Sequence, residues 1–123
     1  MVRTLLLLEC LATFSLGLPA CAHDPWTRTD TAFQLACAAA DLIDWHQTRQ
    51  LVSRPGMWEN NPYLGHHPST AAVDRYFAAS LVTSAAVSYL LPARWRRAHQ
   101  VFILSLEGYC IQRNLQIGIS VRF

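Results

Sequence analysis

Polar and ionisable side chains in this chain fall at regular intervals inside otherwise apolar stretches. Cys37, Asp41, Asp44 and Thr48 follow one another at spacings of four, three and four, so they share one helical face. Gln34 lies at the edge of that stripe, and Ala36, Ala38, Ala39, Leu42 and Ile43 cover the rest. The spacing predicts a first helix that opens on a Thr31-x-x-Gln34 capping box and runs to about Val52, where Pro55-Gly56 stops it. Two carboxylates on an alanine-rich helix predict a face turned toward other helices or water, not toward lipid.

Residues 53–68 are rich in Pro, Gly, Asn and His and read as a linker. Within it, Asn61 before Pro62 predicts a capped turn ended by Gly65. His67-Pro68-Ser69-Thr70 then opens a second helix. Residues 76–93 contain no charge, and such a stretch of 18 residues is just long enough to span a bilayer. Its Ala, Ser and Thr content suits close helix packing. Pro92 and the Arg94, Arg96, Arg97 cluster end it. A third helix is predicted over about residues 97–114, with Glu107 and Asn114 on one face. The period then changes: Leu115, Ile117, Ile119, Val121 and Phe123 alternate with polar or small residues, which predicts a short C-terminal strand. One strand cannot close a barrel in lipid, and no further stretch of this kind occurs, so a short strand pairing locally, or a helix tail with accidental alternation, is the expectation.

Composition moves this helical picture toward a membrane. Of the 123 residues, 52% are hydrophobic and 15% charged, against about 25% charged in ordinary soluble domains. Residues 1–22 read as a signal peptide or an anchor helix: Arg3, then an apolar run over 5–18, then small residues. Ala20-Cys21-Ala22 fits ordinary cleavage, Leu18-Pro19-Ala20-Cys21 fits lipidation at Cys21, and retention as an anchor is the third outcome. Residues 23–123 then form one small helical membrane domain. Cys37 and Cys110 read as small buried hydrophobes, with one disulfide as the alternative in an exported protein. The net charge of +2, with no basic stripe interleaved with aromatics, argues against nucleic acid. Arginines fall almost equally on the two sides of any four-crossing topology, so they do not orient the chain.

The candidate chemistry lies in the polar positions of these apolar segments: Asp41, Asp44, Thr48, Glu59, Asn61, Glu107 and Asn114. If they converge, the leading reading is a hydrogen-bonded knot in which Glu59 and Asn61 satisfy linker amides and Glu107 with Asn114 holds the third helix to the first. The rival is a membrane-embedded enzyme or metal-binding protein using Asp44, Glu59 and Glu107. His66 and His67 are the weak metal candidates, since no H-E-x-x-H accompanies them and adjacent histidines rarely ligate one ion. No catalytic residue and no cofactor is assigned.

The Asp44-x3-Thr48 … Glu59-x-Asn61-Pro62 arrangement resembles a loose group of small bacterial and phage membrane proteins of unknown function. These carry D-x3-T at the end of one hydrophobic helix and E-x-N-P before the next. The resemblance covers residues 40–76. It implies a helical integral membrane protein and assigns no activity. The resulting expectation is a mainly α cell-envelope protein with a signal or anchor segment and three membrane-associated helices. It would reside in the bacterial inner membrane, with lipids and another envelope protein or a second copy of itself as partners.

Overall fold

The computed structural model describes residues 24–121. The signal or anchor segment and Cys21 lie outside the described residues. The chain is mainly α, with helices α1 (Arg28–Val52), α2 (Thr70–Leu90) and α3 (Ala93–Gln116). Asp41 on α1 meets Ser80 on α2, and Trp45 meets Asp74, so these two helices run antiparallel. Asp30 meets Arg96 and Asp44 meets Asn114, so α1 and α3 run parallel.

Helix α1 begins one turn earlier than the Thr31-x-x-Gln34 box implies. Its cap is Thr27, whose side chain accepts from the Asp30 amide while the Asp30 carboxylate accepts from the Thr27 amide. Asp replaces the usual Glu or Gln at this position, which hides the box from a pattern search. Thr31 accepts from the Trp26 indole at 2.9 Å, and Gln34 accepts from Gln100 on α3. Helix α3 likewise starts before residue 97, because the Asp24 carboxylate caps the Ala93 amide at 2.7 Å from outside the helix.

Two further expectations are corrected. Helix α2 stops at Leu90, with Leu91 already extended before Pro92. The charge-free stretch that began at Tyr76 is therefore cut to about 22 Å of helix. Among the described residues no helix is long and apolar enough to cross a membrane. No strand forms among the described residues either. Leu115 and Gln116 stay helical, Gly118 turns the chain at φ 82°, and the extended tail lies on α1. There Gln47 donates to the Ile119 carbonyl and Gln50 to the Ser120 carbonyl. Side-chain amides thus take the place of a partner strand, and of the alternating apolar residues Ile119 is fully buried while Leu115 and Ile117 are exposed.

The interior is polar. Ten polar or charged residues are buried among the described residues against eight hydrophobic ones, the reverse of an ordinary core. On α3, Arg96, Gln100, Ile103, Glu107, Cys110 and Asn114 repeat the four-three rhythm of α1, and the two stripes face each other. The outside carries the large apolar side chains, with Leu35 65% exposed and Val82 70% exposed. Where α1 meets α2, the Trp45 ring stacks on Phe77 at 6.1 Å.

Candidate functional site

The bundle is closed at one end by a charged hub and at the other by a polar cavity. At the hub Arg96 is fully buried. Its guanidinium donates to Asp30 Oδ2 at 3.0 Å and to the carbonyls of Ser88, Pro25, Asp24 and Leu91. It also sits 5.0 Å from the Trp26 ring centroid. Arg97 donates to Asp30 Oδ1 at 2.8 Å and lies over Phe33. Burial alone would raise the Asp30 pKa, but hydrogen bonds from Arg97, Thr27 and Arg96 outweigh it and hold the carboxyl well below the usual carboxylate range. This hub joins both ends of the α2–α3 turn to the start of α1. It was read from the sequence only as a cluster that ends a helix. The signal that could have found it is the four-residue step from Arg96 to Gln100.

The opposite end holds the motif residues. Asp44, Thr48, Glu59 and Asn61 all line one cavity of about 120 Å³, together with Asn114, Tyr109, Cys110 and Arg113. The turn at Pro55-Gly56, with Gly56 at φ 79°, brings the linker back over the end of α1. Asp44 is 2% exposed and accepts from Asn114 Nδ2 at 2.8 Å, and the same amide reaches Gln47 at 3.3 Å. The Glu59 carboxylate accepts from the Asn61 amide at 2.8 Å, and Asn61 Oδ1 accepts from the Tyr63 amide. The Leu64 and Gly65 amides close on the Asn61 carbonyl, so Asn61-Pro62 does cap a single turn. Linker amides are thus satisfied by Glu59 and Asn61, and α3 is tied to α1 through Asn114.

The remaining predicted residues lie elsewhere. Asp41 is buried midway along α1 and accepts from Ser80 on α2 at 3.2 Å. Glu107 is buried at the same level, within electrostatic range of Cys37. It is not among the residues lining the cavity, and it precedes Asn114 by two helical turns, about 10 Å along the axis. Asp44 and Glu59 therefore share the cavity, and Glu107 is not part of its lining. His66 and His67 are exposed on the linker. No group of three or more His, Cys, Asp or Glu side chains able to hold a metal occurs among the described residues. Neither Cys37 nor Cys110 is in a disulfide; Cys37 donates to the Gln100 carbonyl at 3.2 Å, so it helps bind α1 to α3. Arg113, one of the few cations the sequence offers to pair with these carboxylates, does line the cavity, and Tyr109, on the same side of α3, is the lining residue that sequence reasoning missed.

No protein-family model, curated protein or solved structure matches the chain.

Proposed function

We propose that this chain is a small integral membrane protein of the bacterial cell envelope, seated in the inner membrane as a bundle. Its role is structural or interactive, with lipid as its first partner and another envelope protein or a second copy as its next. The observation that carries this reading is the inverted distribution of polarity. Helices of 25, 21 and 24 residues extend roughly 32–38 Å, enough for a hydrocarbon core of about 30 Å. What each lacks is apolarity taken alone, and on α1 and α3 much of the polarity lies in buried residues: Asp41, Asp44, Gln47 and Thr48 on one, Gln100 and Glu107 on the other.

Around the outside the charges withdraw to the ends. Between Asp30 and Arg49 the only charged residues of α1 are Asp41 and Asp44, both buried. Between Arg97 and Arg113 the only one on α3 is Glu107, also buried. Helix α2 carries none after Arg75. The exterior thus has a charge-free band roughly 23–28 Å high. Exposed Trp95 and Tyr89 lie near one end, and Trp58 and Tyr63 near the other, the placement aromatic side chains favour at membrane interfaces. A band slightly thinner than the bilayer is accommodated by local thinning at modest cost. In water the same exterior would be a large exposed apolar surface.

A phage- or prophage-borne modifier of the host envelope is the form of this role that the motif resemblance suggests. The test is a carbonate wash of membranes from cells expressing the full chain and its Cys21→Ala variant. Both should stay in the pellet, because the bundle and not a lipid on Cys21 holds the protein. Release of the variant as a soluble monomer would overturn the proposal.

A further inference from the structure

The cavity between α1, the linker and α3 presents both signs of charge and one unmet donor. Its acidic wall is Asp44 and Glu59, and Arg113 supplies the opposite charge. Asn61 lines the same cavity and is 4% exposed. Its Oδ1 is taken by the Tyr63 amide, which fixes the orientation of the side chain and leaves Nδ2 as the donor. That buried Nδ2 has no hydrogen-bond partner. A buried N–H without an acceptor is costly, and each such group calls for an explanation.

Neither a lone cation nor a lone anion fits these groups. A cation would find two carboxylates but would face the Asn61 N–H and the Arg113 guanidinium. An anion would find those two donors but would face Asp44 and Glu59. A zwitterion meets both walls. The ammonium end should carry N–H bonds, because carboxylates accept them and a quaternary ammonium needs several aromatic faces, whereas Tyr109 is the one aromatic ring in this lining. The anionic end should offer several acceptor oxygens, since a guanidinium and an amide must both be served.

We propose that this cavity binds a phosphoethanolamine group, its ammonium against Glu59 and Asp44 and its phosphate against Arg113 and Asn61 Nδ2. The volume of about 120 Å³ is far beyond the space one water requires. The group has two sources, a phosphatidylethanolamine headgroup and free phosphoethanolamine. The lipid source rests on the membrane reading above, in which the cavity lies at the charged rim, level with the headgroups.

The experiment measures binding of three probes to the purified full-length protein in detergent micelles by calorimetry: short-chain phosphatidylethanolamine, short-chain phosphatidylcholine and free phosphoethanolamine. The ethanolamine lipid should bind at least tenfold more tightly than the choline lipid. Glu59→Gln and Arg113→Gln should each weaken it at least tenfold without changing the melting temperature. Glu59→Gln keeps the acceptor for the Asn61 amide, and Arg113 is an exposed side chain, so neither substitution threatens the fold. Equal binding of the two lipids, no binding of any probe, or variants that bind like the parent would overturn the site. Binding of free phosphoethanolamine to a chain recovered in the soluble fraction would uphold the site while ending the membrane reading. A chain retained in membranes that binds no ethanolamine probe would do the opposite.

Discussion

Replacing Arg96 with Met should be the most damaging single change at the hub, and its size can be worked from the contacts. The substitution keeps a long unbranched side chain but removes five hydrogen bonds to Asp30, Ser88, Pro25, Asp24 and Leu91. The Asp24 and Pro25 carbonyls belong to exposed residues and can bond water instead. The Ser88 carbonyl, in a fully buried residue, cannot readily do so. Asp30 keeps Arg97 on Oδ1 and Thr27 on Oδ2, so its charge is left only partly unmatched. Breaking a buried ion pair costs about 3–5 kcal/mol, and this residual support places Arg96→Met near 3 kcal/mol. For a domain of about 100 residues that lowers the melting temperature by roughly 12–24 °C. Far-UV circular dichroism melts in one detergent would measure it. Arg97→Met, at a side chain one-third exposed, should cost about 1 kcal/mol. Acid titration provides an independent check, because Asp30 sits at the polar rim with a depressed pKa. A depressed carboxyl contributes stability that is present above its unfolded pKa, about 3.9, and is lost as pH falls toward the folded value. The parent should therefore lose stability below about pH 4 more steeply than Arg96→Met. A loss under about 1 kcal/mol for Arg96→Met, or one no larger than for Arg97→Met, would refute the hub.

Three further outcomes follow from single contacts. Asn114→Leu should cost about 2 kcal/mol by denaturant unfolding, since it leaves the buried Asp44 carboxylate short of a donor; a double-mutant cycle with Asp44→Leu should show strong coupling, and additive losses would count against the knot. Ile119→Ala should cost about 2–4 kcal/mol although the residue lies in an extended tail, because its side chain is fully buried; a loss below 1 kcal/mol would mean the tail does not pack on α1. Gly118→Ala should destabilise by about 1 kcal/mol because its φ is 82°, whereas Gly108→Ala, in the exposed middle of α3 with open space around its Cα, should stabilise by about 0.5–1 kcal/mol; thermal melts that reversed this order would contradict the placement of both glycines.

Much of the helix layout could be read in the sequence because face spacing survives any environment. Cys37, Asp41, Asp44 and Thr48 share a face by geometry alone, and all four are buried. Helix ends were harder, since they depend on partners far away in the chain. The Ala93 amide is capped by Asp24, a residue 69 positions earlier, and no local pattern reports that. The alternation at the C-terminus resembled a strand, but it runs across the end of α3 into the tail, and of its described members only Ile119 is buried. The motif residues Asp44, Thr48, Glu59 and Asn61 could be grouped because a Pro-Gly turn has to reverse the chain. Glu107 could not be assigned to that group or removed from it without knowing the level at which α3 lies against α1. Arg96 was obscured by its neighbours, since two of three clustered arginines do stay at least partly exposed.

The central claim is that lipid covers the outside of this bundle. Nitroxide labels at Leu35, Val82 and Phe102 in the band, and at Arg28 and Arg54 beyond it, test it in reconstituted vesicles of the full chain. Relative collision rates with oxygen and with a water-soluble nickel chelate report whether each label meets lipid or water. The account predicts oxygen-dominated collisions at residues 35, 82 and 102, and chelate-dominated collisions at 28 and 54. Chelate access at the three band positions, equal to that at the two ends, would contradict it.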